Sequence, residues 1–156
     1  MAKKIVPLAT IGYEGASMQT FLSALQEAQV ELLVDVRAVA SSRRPGFSKT
    51  KLAANLAGKG IDYLHLRGLG TPADGRAAAH AGRVAEMQAI YAEHLRTESA
   101  QDQLASLIEI VRGGRKVCLL CFEADAEGCH RSLVAAAIAK EVPIRIENLA
   151  GTGEED

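Results

Sequence analysis

The sequence predicts an α/β protein, a single-domain three-layer Rossmann-like fold with a mainly parallel sheet of about five strands. Short apolar runs alternate with stretches of helical periodicity along the 156 residues, and this length is typical of one domain. Hydrophobic residues make up 48% of the chain and charged residues 24%, as in an ordinary globular domain. Because strands alternate with helices, we expect right-handed crossovers and parallel neighbours.

Five apolar segments are predicted to be strands, at 5–11, 31–36, 61–66, 116–122 and 142–147. The segment 31–36 (ELLVDV) has a continuous apolar core, which is typical of a strand buried on both faces. The segment 116–122 (KVCLLCF) is the most apolar of the five. We therefore expect it at the centre of the sheet.

Helical spacing of apolar residues predicts the intervening helices. The first follows Ser17, a candidate N-cap, and its apolar positions recur as far as Ala28. Four more are predicted at 48–57, 83–96, 100–112 and 128–140. The segment 67–82, rich in glycine, is predicted to be a long loop. We expect one domain over 1–150 and an acidic, disordered tail at 151–156.

Composition excludes several classes of protein. Lys and Arg number 18 and Asp and Glu 19, giving a net charge of −1, whereas a general nucleic-acid coat protein has a pI above about 9. No apolar run approaches the roughly 18 residues of a membrane span, and the N-terminus lacks a secretory pattern. Three cysteines without an export signal indicate reduced thiols. We expect a cytoplasmic protein that contacts no membrane.

Ionisable or reactive side chains follow four of the predicted strands. In open parallel sheets, ligands bind at the carboxyl ends of the strands, so these side chains are candidates for one site. They are Tyr13, Glu14, Asp35, Arg37, His65, Arg67, Cys121 and Glu123.

The segment 121–131 (CFEADAEGCHR) carries the strongest candidate chemistry. Cys121 and Glu123 follow a strand, and Cys129, His130 and Arg131 begin the next helix. A helix start favours anions and lowers a thiol's pKa. The group could therefore bind phosphate or carboxylate, or supply a thiolate nucleophile with Glu123 or His130 as proton carrier.

Other interpretations of the same segment stay open. Cys121, Cys129 and His130 could ligate a metal, with His65 or Glu123 as a fourth ligand. No zinc-ribbon pattern supports this, because strand alternation places Cys118 and Cys121 on opposite faces, and we predict neither a metal nor a cofactor. The cysteines could instead be buried apolar residues. A disulfide between Cys121 and Cys129 is disfavoured by the expected compartment.

Asp35 and Arg37 lie on the same side of their strand. Such a pair can orient a substrate, act in acid–base chemistry and bind an anion, or it can be a structural ion pair. His65 ends a strand and is expected to face the same cleft, as a catalyst or as a structural group. His80 and His94 are expected at the surface.

A basic segment, 36–61, contains six cations and no acidic residue. Arg43 is one of these cations, and Phe47 offers an aromatic ring for stacking. Such a segment could bind the phosphates of a nucleotide or a nucleic acid. The alternative is a solvated loop and helix face.

Four segments resemble the bacterial and archaeal domain of unknown function 488 family: TIGYEG (10–15), LLVDVRAVASSRRPGFSK (32–49), GIDYLHLRGLG (60–70) and LLCFEADAEGCHRSLVA (119–135). The resemblance implies a compact α/β domain whose segments converge on one site. Members of the family often carry His-Ser where this chain has Tyr13 and Glu14. A looser similarity to rhodanese and cysteine-phosphatase loops does not extend to their closed anion cradle, since ten residues separate Cys121 from Arg131.

These observations predict an enzyme acting on a phosphate-bearing substrate, a nucleotide or nucleic acid. Its catalytic candidates are Glu123, Asp35, Cys121, Cys129 and His65. Its binding candidates are Arg37, Arg43, His130, Arg131, Tyr13, Glu14 and Phe47. The alternatives are a non-catalytic nucleic-acid-binding module and a metal or thiol sensor.

Overall fold

A sheet of five parallel strands forms the centre of the computed structural model, which describes residues 4–151. The strands are β1 (Val6–Gly12), β2 (Leu32–Asp35), β3 (Asp62–His65), β4 (Val117–Cys121) and β5 (Ile144–Ala150). Their order is β3-β2-β4-β1-β5. The most apolar strand, β4, is central and all its residues are buried, which confirms the prediction.

Six α-helices cover the two faces of the sheet: α1 (Met18–Glu27), α2 (Lys49–Ala57), α3 (Ala73–His80), α4 (Val84–Leu95), α5 (Glu98–Arg112) and α6 (Arg131–Ala139). α1 and α2 pack on one face, around Leu33 and Leu120. α3 to α6 pack on the other, around Val34 and Leu119. The predicted three-layer α/β fold is confirmed.

The first helix begins where its sequence predicts. The Ser17 side chain accepts a hydrogen bond from the Thr20 amide, and the Thr20 hydroxyl accepts one from the Ser17 amide. This capping box satisfies amides that a helix start leaves unpaired. Phe21, Leu22 and Leu25 then lie buried on one side of α1, so that the amphipathic pattern becomes a packed face.

The prediction of a long loop over 67–82 is wrong. A 3₁₀ turn at Arg67–Leu69 and the helix α3 occupy most of it. Pro72, whose fixed φ suits a helix start, precedes an alanine-rich run. Position 75 of α3 needs a glycine, because a Cβ there would meet the Thr71 methyl group at 2.5 Å. The glycine therefore reflects close packing rather than a break.

Two other boundaries differ from the prediction. α6 begins at Arg131 instead of 128, because a 3₁₀ turn at Ala126–Gly128 precedes it. β5 runs to Ala150 instead of 147, since its pairing with β1 continues to the end of that strand, where Gly12 faces Ala150. The predicted acidic tail lies, from residue 152 onward, outside the described residues.

The strand order creates a switch point between β2 and β4. After β2 the chain turns to β3 at one edge of the sheet, whereas after β4 it turns toward β5 at the other edge. The connections therefore diverge and leave a crevice beyond the carboxyl ends of β2 and β4, where open α/β sheets bind ligands. No helix among residues 4–151 combines the length and apolar character that crossing a bilayer requires.

We predict that Gly12→Ala destabilises the fold by at least about 2 kcal/mol, the scale of a forced overpacking. A Cβ at Gly12 would collide with the backbone carbonyl of Glu123, which crosses the end of β1. Gly58→Ala is the matched control, because its Cβ would meet nothing closer than 3.5 Å. Urea unfolding measures both variants, and equal stability of the two would contradict the prediction.

Candidate functional site

A cleft of about 420 Å³ opens at the switch point. Its walls come from five parts of the chain: the residue after β1, the segment after β2, the helix α3 with the preceding Thr71, Met87 of α4, and the end of β4 with the segment that follows it. Polar side chains on these walls include Tyr13, Arg37, Arg76, His80 and Glu123. Side chains far apart in sequence therefore converge beyond one edge of the sheet.

The Asp35–Arg37 pair lies beneath the cleft. Asp35 is fully buried and Arg37 is 6% exposed, and two guanidinium nitrogens of Arg37 donate to the carboxylate at 2.7 to 3.1 Å. Burial alone would lower the pKa of Arg37, but the hydrogen bonds and charge of Asp35 outweigh it and raise the pKa. Asp35 and Arg37 therefore form a buried ion pair.

Two tyrosines complete this network. The Tyr63 hydroxyl donates to Asp35 at 2.5 Å, and burial together with this bond raises the pKa of Tyr63. The Tyr13 hydroxyl accepts from Arg37 at 3.2 Å. The ends of β1, β2 and β3 are therefore joined through one carboxylate and one guanidinium.

Two histidines bond to consecutive carbonyls of the segment that follows β2. Nε2 of His65 lies 2.8 Å from the Arg37 carbonyl oxygen, and Nε2 of His130 lies 2.6 Å from the Val36 carbonyl oxygen. A carbonyl only accepts, so each Nε2 carries a proton. His65 does not line the cleft, whereas His130 does.

Burial holds His130 neutral, because it lowers the pKa of the imidazole to about 4. Nδ1 of His130 lies 3.7 Å from Sγ of Cys129. The Nδ1 lone pair of His130 is thus directed at the Cys129 sulfur. The hydrogen bond from Nε2 to the Val36 carbonyl fixes the orientation of the ring.

The structure joins Cys121 and Cys129 in a disulfide, so the expectation of three reduced thiols is wrong. The expectation rested on the expected cytoplasmic compartment. The fold, however, brings Cys121 at the end of β4 next to Cys129, which lies just before α6. Cys118 is free and buried on the α1 side of the sheet. Strand alternation separates it from Cys121, as predicted.

Arg131 faces inward rather than into the cleft. It is fully buried, and Nη1 lies 3.0 Å from Sγ of Cys121 and 2.5 Å from the Glu123 carbonyl. Nη2 donates to the Ala124 carbonyl at 3.2 Å. Its donors hold the β4–α6 connection and face a sulfur, so this geometry does not favour the predicted role of Arg131 in binding a substrate anion.

Glu123 is the carboxylate of the cleft. It is half-buried, and burial raises its pKa, as does the nearby Glu14, while Arg131 and His80 act in the opposite direction. One carboxylate oxygen lies 3.8 Å from Sγ of Cys121. Glu14 itself is exposed and accepts a hydrogen bond from the Ala124 amide at 3.0 Å, so it fastens the same connection from outside.

The basic segment, 36–61, does not line the cleft as a unit. Phe47 is 1% exposed and stacks on Tyr13 with ring centroids 4.7 Å apart, which does not favour the predicted stacking of its ring on a ligand. Arg44 donates to the Ala16 carbonyl at 3.1 Å, and Arg43 is exposed. Within 36–61, all of it described by the structure, Arg37 is the one cation that lines the cleft.

Sequence reasoning missed Arg76, and it placed His80 at the surface without a role. Both lie on α3, one helical turn apart, and both line the cleft. Arg76 and His80 are four residues apart in the segment that follows Pro72, and this spacing would have indicated that they share a helix face. His94, expected at the surface, is partly buried with Nε2 2.7 Å from the Gly68 carbonyl oxygen.

The fold and the site together define a parallel α/β protein with a ligand-sized cleft at its carboxyl edge. The chain belongs to the family described as domain of unknown function DUF488, whose family model matches residues 17–138. Comparison with curated proteins gives no significant match, and neither does comparison with solved structures.

We predict that Asp35→Asn destabilises the protein by about 3–5 kcal/mol, because it leaves the buried Arg37 charge without its counter-ion. Asp62→Asn is the control, since Asp62 pairs with Arg115 at an exposed position and such pairs contribute at most about 1 kcal/mol. Urea unfolding of both variants measures the difference. Comparable losses would show that the Asp35 charge is not needed.

Proposed function

We propose that the cleft is the active site of an enzyme that acts on a small phosphate-bearing molecule such as a nucleotide. The observation that carries the proposal is the meeting of Arg37, Arg76 and His80 with Glu123 and Cys121 around one cleft. Its volume falls within the roughly 300–1,000 Å³ of small-molecule sites.

The arginines would bind the anion. Arg37 has five N–H groups and directs three of its nitrogens at Asp35 and Tyr13, so N–H groups remain for a ligand. Arg76 is exposed and donates from Nη1 to the Thr71 carbonyl at 2.9 Å, which leaves most of its donors available. Paired guanidinium groups suit the planar, bidentate recognition of phosphate.

Glu123 and Cys121 would carry the chemistry. A carboxyl group with a raised pKa can donate or accept a proton closer to neutral pH than an exposed one. Cys121, once reduced, supplies a reactive sulfur, and Arg131 at 3.0 Å favours its thiolate. Asp35 and His65 act as positioning residues through their bonds to Arg37.

A nucleic-acid-binding module is less favoured. Single-stranded nucleic acid is usually bound by a charged groove with exposed aromatic rings. Here Phe47 is in the core, and Arg44 is engaged with the backbone. A compact ligand held in the cleft fits these contacts better.

We predict that Arg76→Ala weakens the binding of inorganic phosphate and of nucleoside monophosphates at least about tenfold, the loss of one charge-assisted contact of roughly 1.5–3 kcal/mol. Arg83→Ala is the control, because Arg83 is equally exposed but pairs with Glu86 away from the cleft. Isothermal titration calorimetry measures the affinities. No binding by the wild-type chain, or equal losses in both variants, would contradict the proposal.

We predict that Glu123→Gln leaves folding intact and lowers turnover by about 10²–10⁴-fold, the usual contribution of a general acid or base. The assay is a panel of phosphate esters and nucleoside phosphates incubated with reduced protein. Glu27→Gln is the matched control, since Glu27 is exposed and outside the cleft. Unchanged turnover in Glu123→Gln would remove Glu123 from the mechanism.

A further inference from the structure

We propose that Cys121, Cys129 and His130, when the cysteines are reduced, bind a soft divalent metal ion such as Zn²⁺ with one coordination position open to the cleft. Sγ of each cysteine and a ring nitrogen of His130 all lie within 4.8 Å of one another, and all three residues are buried. Within residues 4–151 this is the one such group of metal-binding side chains. The inference rests on the proposed function, because it gives the sulfur of Cys121 a more specific role.

One pair of candidate ligands already has the spacing of tetrahedral ligation. Bonds of about 2.3 Å to sulfur and 2.0–2.1 Å to nitrogen place two tetrahedral ligands about 3.5 Å apart. Sγ of Cys129 and Nδ1 of His130 are 3.7 Å apart. The two sulfurs are bonded to each other in the structure, so they must separate on reduction before an ion can lie between them.

The contacts that His130 and Cys121 make with neighbouring groups resemble those of ligands in protein metal sites. A ligating imidazole commonly donates its other N–H to a carbonyl, which fixes its tautomer and orientation. His130 does this through Nε2 to the Val36 carbonyl at 2.6 Å, and its Nδ1 lies 3.7 Å from Sγ of Cys129. Arg131 lies 3.0 Å from Sγ of Cys121, where it supports a thiolate.

Charge is compatible with the ion. Two buried thiolates and the Arg131 guanidinium sum to −1, and a divalent cation changes that sum to +1, so neither state buries more than one net charge. Reduction of the disulfide by an added thiol or phosphine transfers two electrons and two protons and gives two thiols. Metal binding then displaces two protons.

The open position distinguishes this site from a purely structural one. Three protein ligands leave a fourth coordination position for water or substrate. Cys121 and His130 both line the cleft, as does Glu123. A ligand oxygen on the metal would therefore lie beside the carboxyl group proposed to move protons.

The test loads reduced full-length protein with Zn²⁺ or Co²⁺. We expect one metal ion per chain and, for cobalt, a thiolate charge-transfer band with the visible absorption of a tetrahedral site. Cys121→Ser and Cys129→Ser should each weaken zinc binding at least about 100-fold, because losing a ligand exceeds the roughly 10–100-fold cost of losing an outer partner. Cys118→Ala, which removes a sulfur on the other face of the sheet, should leave the stoichiometry at one.

A measurement on the wild-type chain guards against variants that fail to fold. Stoichiometric Zn²⁺ should slow alkylation of Cys121 and Cys129 by iodoacetamide at least about tenfold, whereas Mg²⁺, which prefers oxygen ligands, should not. Equal alkylation rates with and without zinc, or full zinc binding by Cys129→Ser, would overturn the inference. Phosphate binding is measured separately on metal-free protein, so a failure of the proposed function is distinguishable from a failure of the metal site.

Discussion

The buried charge of Asp35 organises this end of the molecule. A carboxylate removed from water must receive hydrogen bonds and a counter-charge from its neighbours. Asp35 receives both from Arg37 and a further bond from Tyr63, and Arg37 then reaches Tyr13. The requirement of one charged group therefore fixes the ends of three strands relative to one another. Breaking these contacts would leave an unpaired charge beneath the cleft, which would be costly.

The connection from β4 to α6 is held from several directions. The Arg131 guanidinium bonds two of its carbonyls from within the fold, and Glu14 accepts from the Ala124 amide outside. The Glu14 amide also bonds the Phe122 carbonyl at 2.8 Å. A loop with its main chain tied at so many points keeps Glu123 at the cleft. This is why an arginine with no access to the cleft still matters to the site.

The sequence predicted the architecture well because strand burial and helical spacing are local patterns. It also predicted the convergence at the sheet edge, since that follows from parallel strands. It did not predict α3, because glycine content masked a helix that packs closely against Thr71. Nor could it distinguish the inward Arg131 from a ligand-binding arginine. Which way a side chain points at a helix start depends on contacts with β4 that spacing does not encode.

The adjacent carbonyls of Val36 and Arg37 have one more consequence. Each accepts a hydrogen bond from a different imidazole, His130 on one side and His65 on the other, while the Arg37 side chain reaches the cleft. The positions of the two rings and of the guanidinium therefore depend on the same two residues of main chain, so a substitution that shifts this short stretch affects all three groups at once.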